Sequence, residues 1–133
     1  MRKNFLSNGG LKTLASAIGK NSNLVHLSLG CNQFSSEGAC HLFRVLETHS
    51  GITSIDLANN DCYKSKIKIG AKGAEALCRL LKRNQLITML NVKDNALSND
   101  AFTHLIEGLK HASNLISLNL SQNDIGVSFN TFS

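Results

Sequence analysis

The chain has 133 residues, of which 42% are hydrophobic, so it is long enough for one modest domain and too short for two. Abundant Leu, Ile and Val exclude a disordered chain, while the absence of Trp and Pro and the single Tyr argue against an ordinary catalytic domain. The net charge of +5 comes from residues 60–84, which hold seven basic and two acidic residues. The charge therefore marks one segment and does not indicate a basic surface along the whole chain.

The sequence shows neither a signal peptide nor a membrane span. Only two apolar residues stand near the start before polar and glycine positions, and no stretch approaches the roughly 18 apolar residues that a span requires. We therefore expect a soluble, cytoplasmic protein. The four cysteines form no CxxC pair, so we expect reduced thiols at Cys31, Cys40, Cys62 and Cys78.

In chain order, the first predicted element is a helix, because Leu14, Ala15 and Ile18 have the spacing of one apolar helix face. A strand follows in "LVHLSLGCN", residues 24–32, where Leu27 and Leu29 point to the same side. This pair of elements then recurs three times: the helical stripes begin at Leu42, Leu77 and Leu105, and the strand frames are residues 52–60, 87–95 and 115–123. Ser35 and Ser98 precede two of the stripes and are expected to cap those helices.

The strand frames begin at residues 24, 52, 87 and 115, so the repeat is 28 residues long in its first and last steps and 35 in the middle. The frame LxxLxLxxN followed by a helix resembles the ribonuclease-inhibitor-like class of leucine-rich repeats over nearly the whole chain. The resemblance implies an α/β solenoid, a curved right-handed superhelix with a parallel inner sheet and outer helices. The same resemblance implies that the solenoid is a single domain, residues 1–133, of about four repeats.

The same resemblance assigns roles to two sets of aligned residues. The asparagine ladder of the family, which satisfies backbone groups at the bend after each strand, falls on Asn32, Asn60, Asn95 and Asn123. The central aliphatic residues of the strands are expected to form one buried column: Leu27, Ile55, Leu90 and Leu118.

The middle step is seven residues too long, and the frame places the extra residues between Asn60 and Ile69, at residues 62–68. An insertion there enlarges only the loop from a strand to the next helix, at the rim of the concave sheet face. Two interpretations stay open. The loop is a solvated bulge that a surface connection tolerates, or it contacts an acidic partner through Tyr63, Lys64, Lys66 and Lys68.

Repeats of this class bind other proteins on the concave sheet face, so the resemblance implies a non-catalytic protein-interaction module. The outward strand positions are mostly small or polar, and those expected to contact a partner are His26, Ser28, Asp56, Met89, Asn91, Lys93 and Asn119. No nucleophile is paired with a base, no histidine, including His49, has a ligand cluster, and no phosphate-binding loop occurs. We therefore expect no catalytic residue, metal, cofactor or small-molecule substrate.

Two other functions stay open. By analogy of fold alone, the chain is a regulator of an enzyme such as a GTPase, or the sensing region of a larger receptor. Alternatively, the lysine-rich loop binds a polyanion, that is, nucleic acid or an anionic membrane. We expect a protein partner rather than nucleic acid or membrane, since the outward strand positions lack stacked aromatic side chains.

The two ends of the predicted stack form a separate question. The first and last strands each have one side without a neighbouring strand, and such edges invite another chain to pair with them. We expect either self-association or a larger assembly through these ends, or a lid formed by Val127, Phe129 and Phe132.

Overall fold

Helices and strands alternate along the chain, as the repeating frame predicts. The structure is a computed structural model that describes residues 5–59 and 67–123. Within these ranges the order is α1 (Asn8–Gly19), β1 (His26–Ser28), α2 (Ser36–Leu46), β2 (Ser54–Asp56), α3 (Gly70–Arg83), β3 (Met89–Asn91), α4 (Asn99–Leu109) and β4 (Ser117–Asn119). Each strand is three residues long and centres on the aliphatic residue at the fourth place of its frame.

The four strands form one parallel sheet in the order β1-β2-β3-β4. Their register aligns Leu27, Ile55, Leu90 and Leu118 as one column. The first three of these side chains are buried, whereas Leu118 is half-buried because no further strand covers it within the described residues. The predicted parallel strands and common column are therefore confirmed, with Leu118 less buried than expected.

The hydrophobic core lies between the sheet and the helices. In the second repeat, for example, Ile52, Ile55 and Leu57 of the strand frame and Leu46 of α2 are fully buried. Burying an aliphatic side chain of this size contributes about 1.5–3 kcal/mol. Each helix packs against the next one along the chain.

The contact between α3 and α4 depends on a glycine. A methyl group added at Gly108 would lie 2.8 Å from the Cα atom of Cys78. The two helix backbones therefore approach more closely than any residue with a side chain would allow.

The expected helix caps at Ser35 and Ser98 are wrong, because neither side chain makes a capping hydrogen bond. At α2 the neighbouring repeat supplies the acceptor instead. The Oδ1 atom of Asn8, at the start of α1, accepts hydrogen bonds from the backbone N–H groups of Ser35 and Gly38 at 2.8 and 3.0 Å. The cap therefore links two repeats while satisfying the first turn of α2.

Within residues 5–59 and 67–123, no helix is both long and apolar enough to cross a membrane. Two of the cysteines expected to be reduced, Cys40 and Cys78, are free thiols.

Candidate binding surface

The strand residues that point away from the helices form the open face of the sheet, which corresponds to the concave face expected from the sequence. The register aligns them in two columns, one of His26, Ser54, Met89 and Ser117 and the other of Ser28, Asp56, Asn91 and Asn119. Met89 is the largest apolar side chain of these columns and is 42% exposed. Ser54 is the buried exception, at 8%, and its hydroxyl donates a hydrogen bond to the sulfur of Met89 at 3.5 Å.

Three residues of the second column share one turn geometry. The Oδ1 atoms of Asp56, Asn91 and Asn119 each accept a hydrogen bond from the backbone N–H group two residues later, at 3.0, 3.2 and 3.0 Å. This local bond fixes each side chain at the end of its strand. These bonds engage Oδ1 of Asn91 once and Oδ1 of Asn119 twice, the second time through the hydroxyl of Ser121 at 2.6 Å, while neither Nδ2 group bonds a described residue.

A third column of outward residues escaped the sequence analysis. It fills the second place of each frame and consists of Val25, Thr53, Thr88 and Ile116. The carbonyl groups of the first three each accept two backbone N–H groups from the following strand, as in a bulge. Val25 is 43% exposed and Ile116 is 86% exposed. Every frame has a β-branched residue at its second place, and this was the sequence signal for the third column. Simple strand alternation, however, assigns the second place to the buried side of the sheet.

The predicted asparagine ladder joins neighbouring repeats at Asn32, Asn95 and Asn123, whereas Asn60 lies outside the described residues. Asn123 shows the geometry: its Nδ2 group donates to the carbonyl of Val92 at 3.0 Å. Its Oδ1 atom accepts from the N–H groups of Asn95 and Leu97 at 2.7 and 3.0 Å. The ladder thus satisfies buried backbone groups on both sides of each bend.

The end of the inserted loop is tied into the regular frame. The N–H group of Lys68 donates to the carbonyl of Phe34 at 3.2 Å, as Gln33 donates to Leu6 one repeat earlier. Lys68 therefore takes the place of Gln33, and Ile67 before it takes a ladder place, although the sequence analysis assigned both residues to the insertion. Ile67 is fully buried and Lys68 is exposed.

The side chain of Asn59 holds Ile67 in this ladder place. Its Oδ1 atom accepts from the N–H group of Ile67 at 2.9 Å, and its Nδ2 group donates to the carbonyl of Ile67 at 2.7 Å. Because Asn59 takes this N–H group, the fully buried Oδ1 atom of Asn95 has no hydrogen-bond partner among the described residues. Three residues expected to contact a partner, Tyr63, Lys64 and Lys66, lie outside those residues.

A second polar ladder runs along the opposite rim, where helices end and strands begin. Asn21, His49 and Asn84 fill the same place in successive repeats. The Nε2 atom of His49 donates to the carbonyl of Asn21 at 2.8 Å, and its Nδ1 atom accepts from the N–H groups of Gly51 and Ile52 at 3.1 and 3.0 Å. Asn84 in turn donates to the carbonyl of His49 at 3.1 Å. The expectation for His49 was only that it has no ligand cluster; the signal for its structural role is a polar residue three places before the strand frame in three successive repeats.

The helix face carries most of the charge in the described ranges. Glu47, which follows α2, forms ion pairs with Arg79 and Arg83 of α3 at 3.7 and 3.5 Å.

A groove of about 430 Å³ lies between α3 and α4 and is lined in part by Lys82 and His104. Within the described residues, no group of three or more His, Cys, Asp or Glu side chains is placed to hold a metal ion.

Two ionisable groups on this helix face have shifted pKa values. Burial raises the pKa of the Cys40 thiol, although the nearby charges of Arg44 and Arg79 act in the opposite direction. A raised pKa disfavours the thiolate that a cysteine nucleophile needs. The pKa of Glu107 is lowered by a hydrogen bond and ion pair with Lys110 at 3.3 Å, a contact at the surface of α4.

Among the described residues, no strand pairs with the outer edge of β1. A groove of about 330 Å³ there is lined mainly by apolar side chains, among them Leu14, Ile18, Leu24 and Leu27. At the other end, Val127, Phe129 and Phe132 of the expected lid lie outside the described residues.

Comparison with known proteins agrees with this architecture. Residues 20–39 and 111–128 match a family model described as "Leucine Rich repeat". The chain is 29% identical over 126 residues to "NACHT, LRR and PYD domains-containing protein 13" of Homo sapiens, which covers 94% of this chain and 11% of that protein. It is 28% identical over 111 residues to "FERM domain-containing protein C" of Dictyostelium discoideum, and this match covers 79% of this chain and 7% of that protein.

The chain therefore spans 11% and 7% of the lengths of these two curated relatives. The matched segments include the first and last strands of the sheet. Together with the alternating helices and parallel strands, they support a leucine-rich-repeat protein.

Proposed function

We propose that the chain is a non-catalytic, cytoplasmic protein-interaction module that binds a partner on the open face of the sheet and the adjoining loop rim. The observation that carries this proposal is the open face itself. It aligns polar side chains across four strands, exposed at His26, Ser28 and Ser117 and half-buried at Asp56, Asn91 and Asn119. Two exposed apolar side chains, Met89 and Ile116, lie among them. Protein interfaces combine apolar contacts with a polar rim in this way.

The chemistry of the open face favours protein over nucleic acid. The described outward positions carry mostly hydroxyl, amide and carboxyl groups besides a few aliphatic side chains, Met89 and Lys93, and His26 is the only ring among them. Single-stranded nucleic acid is usually held by stacked aromatic side chains along a basic groove. The exposed Lys68, tied into the frame next to the sheet rim, extends the proposed surface toward the inserted loop.

A steric block tests which face binds. Ser117→Trp places a large neutral side chain on the open face, and Thr103→Trp places the same side chain on the exposed face of α4; both positions are exposed. Partners captured by the unmodified chain and identified by mass spectrometry are expected to be lost with Ser117→Trp and retained with Thr103→Trp. The reverse result would show that the helix face is the interface.

A second candidate is a regulatory or sensing region of a larger protein. The observation in its favour is that nearly the whole chain aligns with about a tenth of a protein whose name combines LRR with NACHT and PYD domains. In that case the open face would bind the ligand or partner that controls the remaining domains. A change in the rate of a GTPase or other partner enzyme on addition of the chain would favour this candidate.

Self-association remains a separate proposal for the end of the sheet. The apolar groove beside β1 would be covered if a second chain packed there. Light scattering over a range of concentrations tests it, and a monomer at every concentration would contradict it.

A further inference from the structure

We infer that the partner contacts β3 and β4 through an acidic segment that carries one apolar side chain. This inference rests on the proposed function, because it takes the open face as the interface and specifies the chemistry of the partner. It is carried by three features of β3 and β4: the direction of their side-chain donors, a nearby cation and an exposed apolar pair.

The first feature is a pair of donors on neighbouring strands. Asn91 and Asn119 are register partners, and both use Oδ1 to hold the turn that follows their strand. Neither Nδ2 group forms a hydrogen bond with a described residue. An amide oxygen can accept two hydrogen bonds: Oδ1 of Asn119 already accepts two, from the N–H and hydroxyl groups of Ser121, and Oδ1 of Asn91 accepts one, from the N–H group of Lys93. The Nδ2 donors are therefore the less engaged side of both amides, and acceptors on a partner match this part of the face.

The second feature is positive charge beside these donors. Lys93 lies two residues after Asn91, is half-buried, and forms no ion pair with a described residue. An ammonium group has three donors and no acceptor, so it adds donors beside the two Nδ2 groups. Carboxylates satisfy such groups better than neutral carbonyls do, because charge-assisted hydrogen bonds are the stronger ones.

Asp56 marks the edge of the proposed site for the acidic segment on the side of β2. It is the register partner of Asn91 on β2 and brings a carboxylate to the same column. Like charges placed opposite each other disfavour binding. The acidic segment is therefore assigned to β3 and β4 and not to β1 and β2.

The third feature is an exposed apolar pair formed by Met89 of β3 and Ile116, the residue immediately before β4. Ile116 donates its backbone N–H to the carbonyl of Thr88 at 2.8 Å, which places it beside the residue that precedes Met89. Ile116 is 86% exposed and Met89 is 42% exposed. Exposed apolar side chains bordered by polar groups mark contact sites, and methionine is enriched in interfaces. One apolar side chain of the partner fits this pair, with carboxylates reaching the donors.

Three pools of short fluorescent peptides test the inference by polarisation with the whole chain. The first pool contains Asp and Glu around one Leu, the second contains Lys and Arg around the same Leu, and the third is the first with Ser in place of Leu. The first pool is expected to bind most tightly. Asn91→Asp should weaken its binding about tenfold or more, since a donor becomes a repelling carboxylate.

The variants keep the fold while changing the chemistry. Asn91→Asp retains the Oδ1 atom that accepts from Lys93, and thermal melting checks its fold; Asn119→Asp is the second variant of the same design. Asn23→Asp adds the same charge at an exposed position in the first repeat and should leave binding unchanged. Equal effects of the Asn23 and Asn91 substitutions would overturn the inference.

The other outcomes separate this inference from the proposed function. Preference for the basic pool, equal binding of all pools or no binding by any of them would overturn the acidic partner. If the basic pool binds and Ser117→Trp abolishes its binding, the open face is the interface and only the partner's chemistry is wrong. If pools bind but Ser117→Trp has no effect, the proposed function fails as well.

Discussion

His49 holds the turn before β2 with both nitrogen atoms of its ring. Because Nδ1 accepts two backbone N–H groups, it carries no proton, and Nε2 donates to the preceding repeat. The ring is 5% exposed, so water does not replace these bonds easily when they are lost. Single polar side chains of this kind thus connect neighbouring repeats beside the aliphatic core.

Replacing His49 tests this role. His49→Ala leaves the N–H groups of Gly51 and Ile52 without their acceptor, and we expect the free energy of unfolding to fall by about 2–3 kcal/mol. His49→Asn should cost less, about 1 kcal/mol, because Asn84 makes similar bonds at the same place of the next repeat. Denaturant unfolding measures both variants. Equal losses for the two would contradict the hydrogen-bond account and indicate packing alone.

At the scale of elements, the sequence predicts what depends on periodicity. The alternation of helices and strands and the register of Leu27, Ile55 and Leu90 follow from aliphatic residues at a fixed spacing. Contacts between repeats are not encoded in this period. The cap of α2 depends on an acceptor from the neighbouring repeat, which Asn8 supplies. The outward direction of Ile116 depends on the bulge-like bonds between neighbouring strands. The aliphatic spacing also gives no sign of the clamp that Asn59 forms on Ile67, next to the position where Lys68 joins the regular frame.

Two deletions of equal length test the insertion. Removing residues 62–68 restores the 28-residue step and puts Asn60 in the ladder place, where its N–H group can reach the orphan Oδ1 atom of Asn95. Removing residues 60–66 restores the same step but leaves Ile67 in that place. We expect both variants to fold and the first to melt higher by roughly 4 °C, the equivalent of about 1 kcal/mol for a domain of this size.

The deletions also separate the two interpretations of the loop. If either variant melts far below the intact chain, the loop is structural and the register argument is wrong. If both fold and still bind the partner with unchanged affinity, the loop is a solvated bulge. A loss of affinity in both would support a role of the lysine-rich loop in binding.

At the scale of the whole molecule, the stack separates two surfaces with different chemistry. The helix face carries paired charges, such as Glu47 with Arg79 and Arg83, and a thiol whose pKa is raised by burial. The open face presents unpaired amide donors and exposed apolar side chains on β3 and β4. Surface ion pairs of this kind contribute little to stability, and under the proposed function we therefore assign partner recognition to the open face. The sequence revealed this face through the strand frame, but not the direction of its donors, which depends on turns formed after folding.

The most direct test of that claim is the side-chain amide spectrum of the isotope-labelled chain during titration with a captured partner or the acidic peptide pool that contains Leu. The account predicts that the Nδ2 resonances of Asn91 and Asn119 shift as the complex forms, while those of Asn23 and Asn114, which lie in the turns before strands, stay in place. Shifts confined to α3 and α4, around Arg79 and Thr103, with the resonances of Asn91 and Asn119 unchanged, would contradict it.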